Sequence, residues 1–100
     1  MANYYVVVPH ALGQDEALAR LQRFLEDIER RYAPQVSDVR GEWEQNRLEF
    51  GFVASGLSID GAMVVEHESV EVSGPLPLIA AMFRGRIEQT IRDELARLLQ

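Results

Sequence analysis

The sequence contains no cysteine and no lysine, and all ten of its basic residues are arginine. The absence of cysteine excludes disulfides, thiolate metal sites and a cysteine nucleophile. The absence of lysine excludes Schiff-base chemistry and a lysine nucleophile. Histidine is scarce as well: His10 and His67 fall in different predicted loops and lack the shared spacing of a metal site. We therefore expect no metal site and no cofactor.

Long apolar runs and basic regions are also missing. No run approaches the ~20 apolar residues that cross a bilayer, and the N-terminus lacks the basic start and apolar core of a signal peptide. The net charge of −6 is spread over both halves of the chain. Such a charge disfavours nucleic acid, because neutralisation of phosphates supplies most of the affinity for it. These absences predict a cytoplasmic protein with no transmembrane segment and no nucleic-acid partner.

Groups that could carry catalysis are equally scarce. No serine lies in a nucleophile-elbow context, and the glycines form neither a phosphate loop nor a dinucleotide fingerprint. The many carboxylates alternate along predicted strands, which is typical of a solvated sheet face. His10 precedes the first predicted helix, where its ring is expected to bond a free backbone group. Because no nucleophile–base pair can be identified, we predict that the chain is not an enzyme.

What the sequence does contain is the composition of one globular domain. Its 100 residues are 47% hydrophobic and 26% charged, so we take 1–100 as a single α+β domain. Hydrophobic periodicity predicts the element order β-α-β-β-β-β-α. A strand is predicted over 4–8, a helix over 14–32, four strands between 39 and 72, and a long helix over about 77–99.

The four central strands are predicted to form an antiparallel meander, with turns at Gln45-Asn46 and Ser55-Gly56. An apolar stripe on each of the two helices is expected to pack on one face of this curved sheet, in a reduced helix-grip-like arrangement. The first stripe comprises Ala17, Leu18, Leu21, Leu25, Ile28 and Tyr32. The second comprises Ile79, Phe83, Ile87, Ile91, Leu95 and Leu98. On the exposed face of the first helix, the i, i+4 spacing predicts the ion pairs Glu16–Arg20, Glu26–Arg30 and Asp27–Arg31.

Three aromatic residues of the central strands, Trp43, Phe50 and Phe52, permit two interpretations. They could line an apolar groove that holds a ligand. Aromatic residues at a period of two are more often plain core. Both interpretations stay open at the level of the sequence.

The start of the last predicted helix is apolar nearly all round. On a helical wheel Leu78, Ala81 and Met82 point away from the main stripe, and Gly85 falls on the same outer side. Together with Leu76, these residues form a candidate interaction patch. Either the loop after the first helix covers this patch, or the patch contacts another molecule. A second copy of the chain is the simplest such partner, which predicts a two-fold homodimer.

Several short motifs are similar, in order and spacing, to those of a small bacterial family. They are His10-Ala-Leu-Gly13 with Glu16-Ala17 and Arg20, Trp43 with Asn46-Arg-Leu-Glu-Phe50, the Gly61 strand, and Gly74-Pro-Leu-Pro leading to Phe83-Arg-Gly-Arg-Ile-Glu88. On these motifs the sequence resembles the polyhydroxyalkanoic acid system proteins, which are encoded near polyester-granule genes. The resemblance covers nearly the whole chain and implies a non-enzymatic accessory protein. It also suggests granule association of this cytoplasmic protein as a candidate role for the interaction patch.

The leading functional prediction is that the candidate patch binds a hydrophobic granule surface or a protein partner. The alternative is a small apolar-ligand carrier, in which the meander and the last helix enclose an acyl chain beside the three aromatic residues.

Overall fold

The computed structural model describes residues 2–100 and is built on one five-stranded antiparallel sheet. Its strands are β1 (Ala2–Pro9), β2 (Val36–Glu44), β3 (Arg47–Ala54), β4 (Leu57–Val65) and β5 (Ser69–Leu76). They lie in the order β1-β5-β4-β3-β2. The predicted α+β class and the predicted meander are therefore confirmed, and the first strand joins the meander beside its last.

Three α-helices and one 3-10 helix complete the described chain: α1 (Gln14–Leu21), α2 (Phe24–Arg31), the 3-10 helix (Leu78–Phe83) and α3 (Arg84–Leu99). Their buried side chains and those of the sheet form one apolar core. None of the helices within residues 2–100 combines the length and apolar character needed to cross a bilayer. The comparison with a helix-grip fold stays a prediction.

Alternation along the inner strands places the predicted residues in this core. The buried apolar side chains of β3, β4 and β5, each at most 9% exposed, are those of Leu48, Phe50, Phe52, Ile59, Met63, Val65, Val70, Val72 and Leu76. Both predicted hairpin turns are present. Ser55 and Gly56 have φ angles of 52° and 82°, as a two-residue type I′ turn requires.

The pairing of β4 with β5 stops short of the Asp60 end of β4. Strand β5 pairs with β4 only between Val70 and Ser73, although it pairs with β1 along its whole length. Beyond the end of this pairing, the buried hydroxyl of Tyr4 donates a hydrogen bond to the carbonyl oxygen of Asp60 at 2.8 Å. A glycine at position 61 permits this approach, because a β-carbon there would overlap the Tyr4 hydroxyl. Burial, and then the negative charge of Asp60, raise the pKa of Tyr4, so its hydroxyl remains a donor.

The single helix predicted over 14–32 is two helices, divided at Gln22 and Arg23. No glycine or proline marks the division. Helix α1 packs against α3 and β4, and α2 packs against α3 and β2, so the bend lets the two segments contact different strands of the curved sheet. Phe24, which the predicted stripe omitted, is 1% exposed. It lies three residues after Leu21 and four before Ile28, so the helical spacing contained this signal.

The last helix also differs from its prediction, because only the part from Arg84 onward is α-helical. The preceding 3-10 helix has three residues per turn instead of 3.6, which moves its side chains out of the predicted register. Ile91 and Leu95 are buried as predicted. Ile79 and Phe83 are 67% and 45% exposed, so their assignment to the buried stripe is wrong.

A cluster of charged residues joins α2 to α3. Asp27, 3% exposed, pairs with Arg30 at 2.7 Å and with Arg97 at 3.3 Å. Glu94, 2% exposed, pairs with Arg31 at 3.0 Å and with Arg97 at 2.8 Å. The predicted pairing of Asp27 with Arg31 is therefore wrong, because both residues turn toward α3 rather than toward each other.

Candidate functional site

An apolar groove of about 650 Å³ lies between α2 and α3. Its other residues come from the start of β2 and from the ends of β3 and β4 beside their shared turn. The lining residues are Phe24, Ile28, Tyr32, Gln35, Val36, Phe50, Phe52, Ala54, Ser55, Leu57, Ile59, Phe83, Arg86, Ile87, Thr90 and Ile91. Sites for small ligands are typically clefts of about 300–1,000 Å³ with mostly apolar walls. The groove has the size and the lining of such a site.

Two of the three aromatic residues predicted for a groove line this one. Phe50 and Phe52 lie in it with ring centroids 6.1 Å apart, and Phe24 meets Phe50 edge-on with a centroid distance of 5.9 Å. Trp43 does not line the groove. It is paired with Leu48 near the opposite end of the β2–β3 hairpin and is half-buried against the core. Phe50 and Phe52 belong to the core and also line the groove wall. That the groove holds a ligand stays a prediction.

Of the two helices that line the groove, only the last one is expected from the sequence to enclose a ligand, and the contribution of α2 is not predicted. Phe24 and Ile28 contribute from α2, and Ile87 and Ile91 contribute from α3. The i, i+4 spacing of each pair is visible in the sequence, but it is also the spacing of ordinary core residues. Only the separation of the two helices distinguishes a groove from a closed core.

Some polar side chains at the groove already have hydrogen-bond partners within the protein, and others do not. The Tyr32 hydroxyl donates to Glu94 at 3.1 Å, and the Thr90 hydroxyl donates to the backbone carbonyl of Arg86 at 3.0 Å. Partial burial, and then the hydrogen bond to Glu94, raise the pKa of Tyr32. The Arg86 guanidinium is exposed and has no ion pair or hydrogen bond with any residue from 2 to 100. No carboxylate is among the lining residues, so Arg86 is the only charge at the groove.

Beside the groove, the 3-10 helix exposes four large apolar side chains. The exposed fractions are 85% for Leu78, 67% for Ile79, 79% for Met82 and 45% for Phe83. Phe83 also lines the groove, so the exposed segment and the groove adjoin. We call these four residues the exposed apolar segment.

The candidate interaction patch of the sequence overlaps this segment only in part. Leu78 and Met82 are exposed as expected, and Gly85 is exposed beside them. Ala81 is half-buried, and Leu76 is 4% exposed within the core, which corrects its assignment to the patch. The interpretation that a loop covers the segment is wrong, because its side chains stay accessible.

His10 has the backbone role that was predicted. Its Nδ1 accepts a hydrogen bond from the backbone N–H of Leu12 at 3.1 Å, and its Nε2 lies 3.1 Å from the carbonyl oxygen of Glu66. With Nδ1 as the acceptor, Nε2 carries the proton and donates to Glu66. Within residues 2–100, no group of three histidine or carboxylate side chains is placed to hold a metal ion.

Comparison with known proteins identifies a family and a structural likeness. The model of the family described as "Putative polyhydroxyalkanoic acid system protein" matches residues 5–99. No curated protein matches the chain. The crystal structure of TTHA0849 from Thermus thermophilus superimposes with a TM-score of 0.41 over 98% of this chain and 94% of that chain, at 14% sequence identity. A likeness at that level supports no conclusion about function.

Proposed function

The chain belongs to the polyhydroxyalkanoic acid system protein family, and we propose that it is a non-enzymatic accessory protein that binds a polyester granule surface through the exposed apolar segment. The observation that carries this proposal is the exposure of four large apolar side chains within six consecutive residues. Contiguous exposed apolar side chains of this kind mark interaction sites. A polyester surface is the apolar partner that fits the description of the family.

The size of the segment favours an extended surface over a second copy of the chain. Burying Leu78 and Met82 would remove about 200 Å² of apolar area per chain, worth about 5 kcal/mol before the cost of association. Stable interfaces bury about 1,200–2,000 Å² in total. We therefore propose that any homodimer formed through this segment is weak, and that the segment is free to meet a granule.

Co-sedimentation with purified polyester granules tests the proposal. Met82→Glu replaces an apolar anchor by a charge and should weaken binding at least about tenfold. Ala19→Glu adds the same charge at an exposed position of α1 and should bind like the native chain. Equal binding by all three proteins, or no binding by the native chain, would refute the proposal.

A second experiment, with granules that have been stripped of protein, distinguishes binding to the polyester surface from binding to a granule protein. Granules stripped of their bound proteins should retain the native chain as well as intact granules do. Binding to intact granules alone would show that the partner is a granule protein, and the proposed polyester contact would then be wrong.

A second candidate function is the carriage of small apolar ligands. The observation that favours it is the apolar groove, whose volume of about 650 Å³ suits a small ligand. Displacement of a neutral fluorescent probe, N-phenyl-1-naphthylamine, by aliphatic compounds tests this function. An absence of any probe binding would exclude it.

A further inference from the structure

The charge distribution around the groove is opposite to that of the whole chain. The sequence carries 16 acidic residues against 10 arginines, yet Arg86 is the only charged side chain at the groove. The arginines on the neighbouring ionic cluster, Arg30, Arg31 and Arg97, are occupied by Asp27 and Glu94. Arg86 therefore offers an unpaired positive charge beside an apolar space.

We propose that the groove binds an unbranched aliphatic chain that ends in a carboxylate, with the carboxylate at the guanidinium of Arg86. This inference rests on the second candidate function, and it specifies the class of ligand. The aliphatic part lies between α2 and α3, against Phe52, Ile59 and Ile91. Arginine is the side chain best suited to the head group, because its guanidinium can donate two parallel hydrogen bonds to a carboxylate.

The other polar groups at the groove favour a ligand orientation in which the carboxylate lies at Arg86 and the aliphatic part lies in the groove. The Tyr32 and Thr90 hydroxyls already donate to acceptors within the fold, and the other polar lining side chains, Gln35 and Ser55, are neutral. Arg86 is therefore the only charged donor at the groove for an anion. Its position in the first turn of α3 adds the positive end of the helix dipole to the local field. A carboxylate elsewhere in the groove would lie against apolar side chains or the neutral Gln35 and Ser55, and would lose hydration without a partner of opposite charge.

One displacement assay with the full-length protein measures separately how the length of the aliphatic ligand and its head group affect affinity. Octanoate and decanoate, each below its micellar concentration, compete with N-phenyl-1-naphthylamine. Each added methylene group should strengthen binding about fourfold, so decanoate should bind roughly sixteenfold more tightly than octanoate. Equal affinities for the two acids would show that the aliphatic chain is not held in the groove.

The head-group contact is tested by variants and by a neutral ligand. Arg86→Gln should weaken decanoate binding about fivefold, the scale of an ion pair that is partly open to solvent, and should leave decanol binding unchanged. Arg84→Gln is the matched control, because it removes an exposed arginine two residues away that does not line the groove. It should preserve the affinity for decanoate.

The other outcomes separate this inference from the carrier function on which it rests. If decanol and decanoate bind but Arg86→Gln affects neither, the head-group contact is wrong and carriage of apolar ligands stands. An equal loss of decanoate binding in both arginine variants would indicate a diffuse positive field and would also overturn the contact. If no aliphatic compound displaces the probe, the inference and the carrier function both fail.

Discussion

Asp27 on α2 and Glu94 on α3 bind the same nitrogen atom of Arg97, at 3.3 Å and 2.8 Å. Both carboxylates are almost fully buried, and the Tyr32 hydroxyl adds a third donor to Glu94 beside the two arginines. No buried side-chain nitrogen or oxygen atom in the described part of the chain lacks a hydrogen-bond partner. The ionic cluster therefore links α2 to α3, the two helices that form the walls of the groove. Tyr32 takes part in this cluster and also lines the groove.

Removing the charge of Glu94 should destabilise the fold. Glu94→Gln leaves Arg31, Arg97 and Tyr32 with a neutral acceptor in place of a carboxylate, and we expect a loss of about 1–2 kcal/mol in the free energy of unfolding. The arginines are partly exposed, so water limits the loss. Urea denaturation measures it. The control is Glu29→Gln, which removes an exposed carboxylate of α2 and should change stability by less than about 0.5 kcal/mol; an equal effect of the two changes would contradict a structural role for the cluster.

The buried and exposed parts of the last predicted stripe should respond differently to truncation. Leu95→Ala removes a side chain with no exposure and should cost about 2–5 kcal/mol. Ile79→Ala, at 67% exposure, should stay within about 0.5 kcal/mol of the native chain. Thermal and urea unfolding of both variants provide the comparison. A comparable loss at Ile79 would mean that residues 78–83 continue α3 as a regular helix.

The groove and the exposed apolar segment should be separable by mutation. Ala54→Phe places a ring in the groove at a half-buried lining position and should lower the affinity for N-phenyl-1-naphthylamine at least about tenfold, because it occupies space that the ligand needs. Its sedimentation with granules should match that of the native chain. Met82→Glu should show the converse, since Met82 does not line the groove. Loss of both probe binding and granule binding in either variant would mean that one surface performs both functions. Circular dichroism of each variant controls for misfolding.

Self-association of the protein should be weak and should depend on the exposed apolar segment. We expect light scattering to give a monomer at micromolar concentration and partial dimerisation at millimolar concentration, because the apolar area of the segment is too small for a tight interface. Met82→Glu should abolish the partial dimer. A dimer that is already complete at micromolar concentration and is insensitive to this change would place the interface elsewhere on the chain.

The sequence indicated individual residues of the groove and of the exposed apolar segment, but not how they are arranged in space. The apolar character of Leu78 and Met82 was evident, as was the alternation of Phe50 and Phe52. Whether such side chains are covered depends on segments distant in the chain, and the helical pattern of 77–99 assigned Ile79 to the wrong side. The ligand-facing role inferred for Arg86 had no local signal, since an arginine in the first turn of a helix is typical of an ordinary solvated surface.

What the sequence determined by itself is the local structure: the period-two strands, the Ser55-Gly56 turn, the hydrogen bond from the Leu12 N–H to His10 and the ion pair of Glu16 with Arg20 at 3.0 Å. Each depends on residues that are neighbours in the chain or that repeat at a constant period. The tertiary structure alone decided that β1 lies beside β5, that the first helix divides, and that Asp27 and Glu94 share one arginine. These features depend on residues as far apart in the chain as Ala2 and Leu76. The free energy of such interactions exists only after the chain has folded and brought the distant segments together.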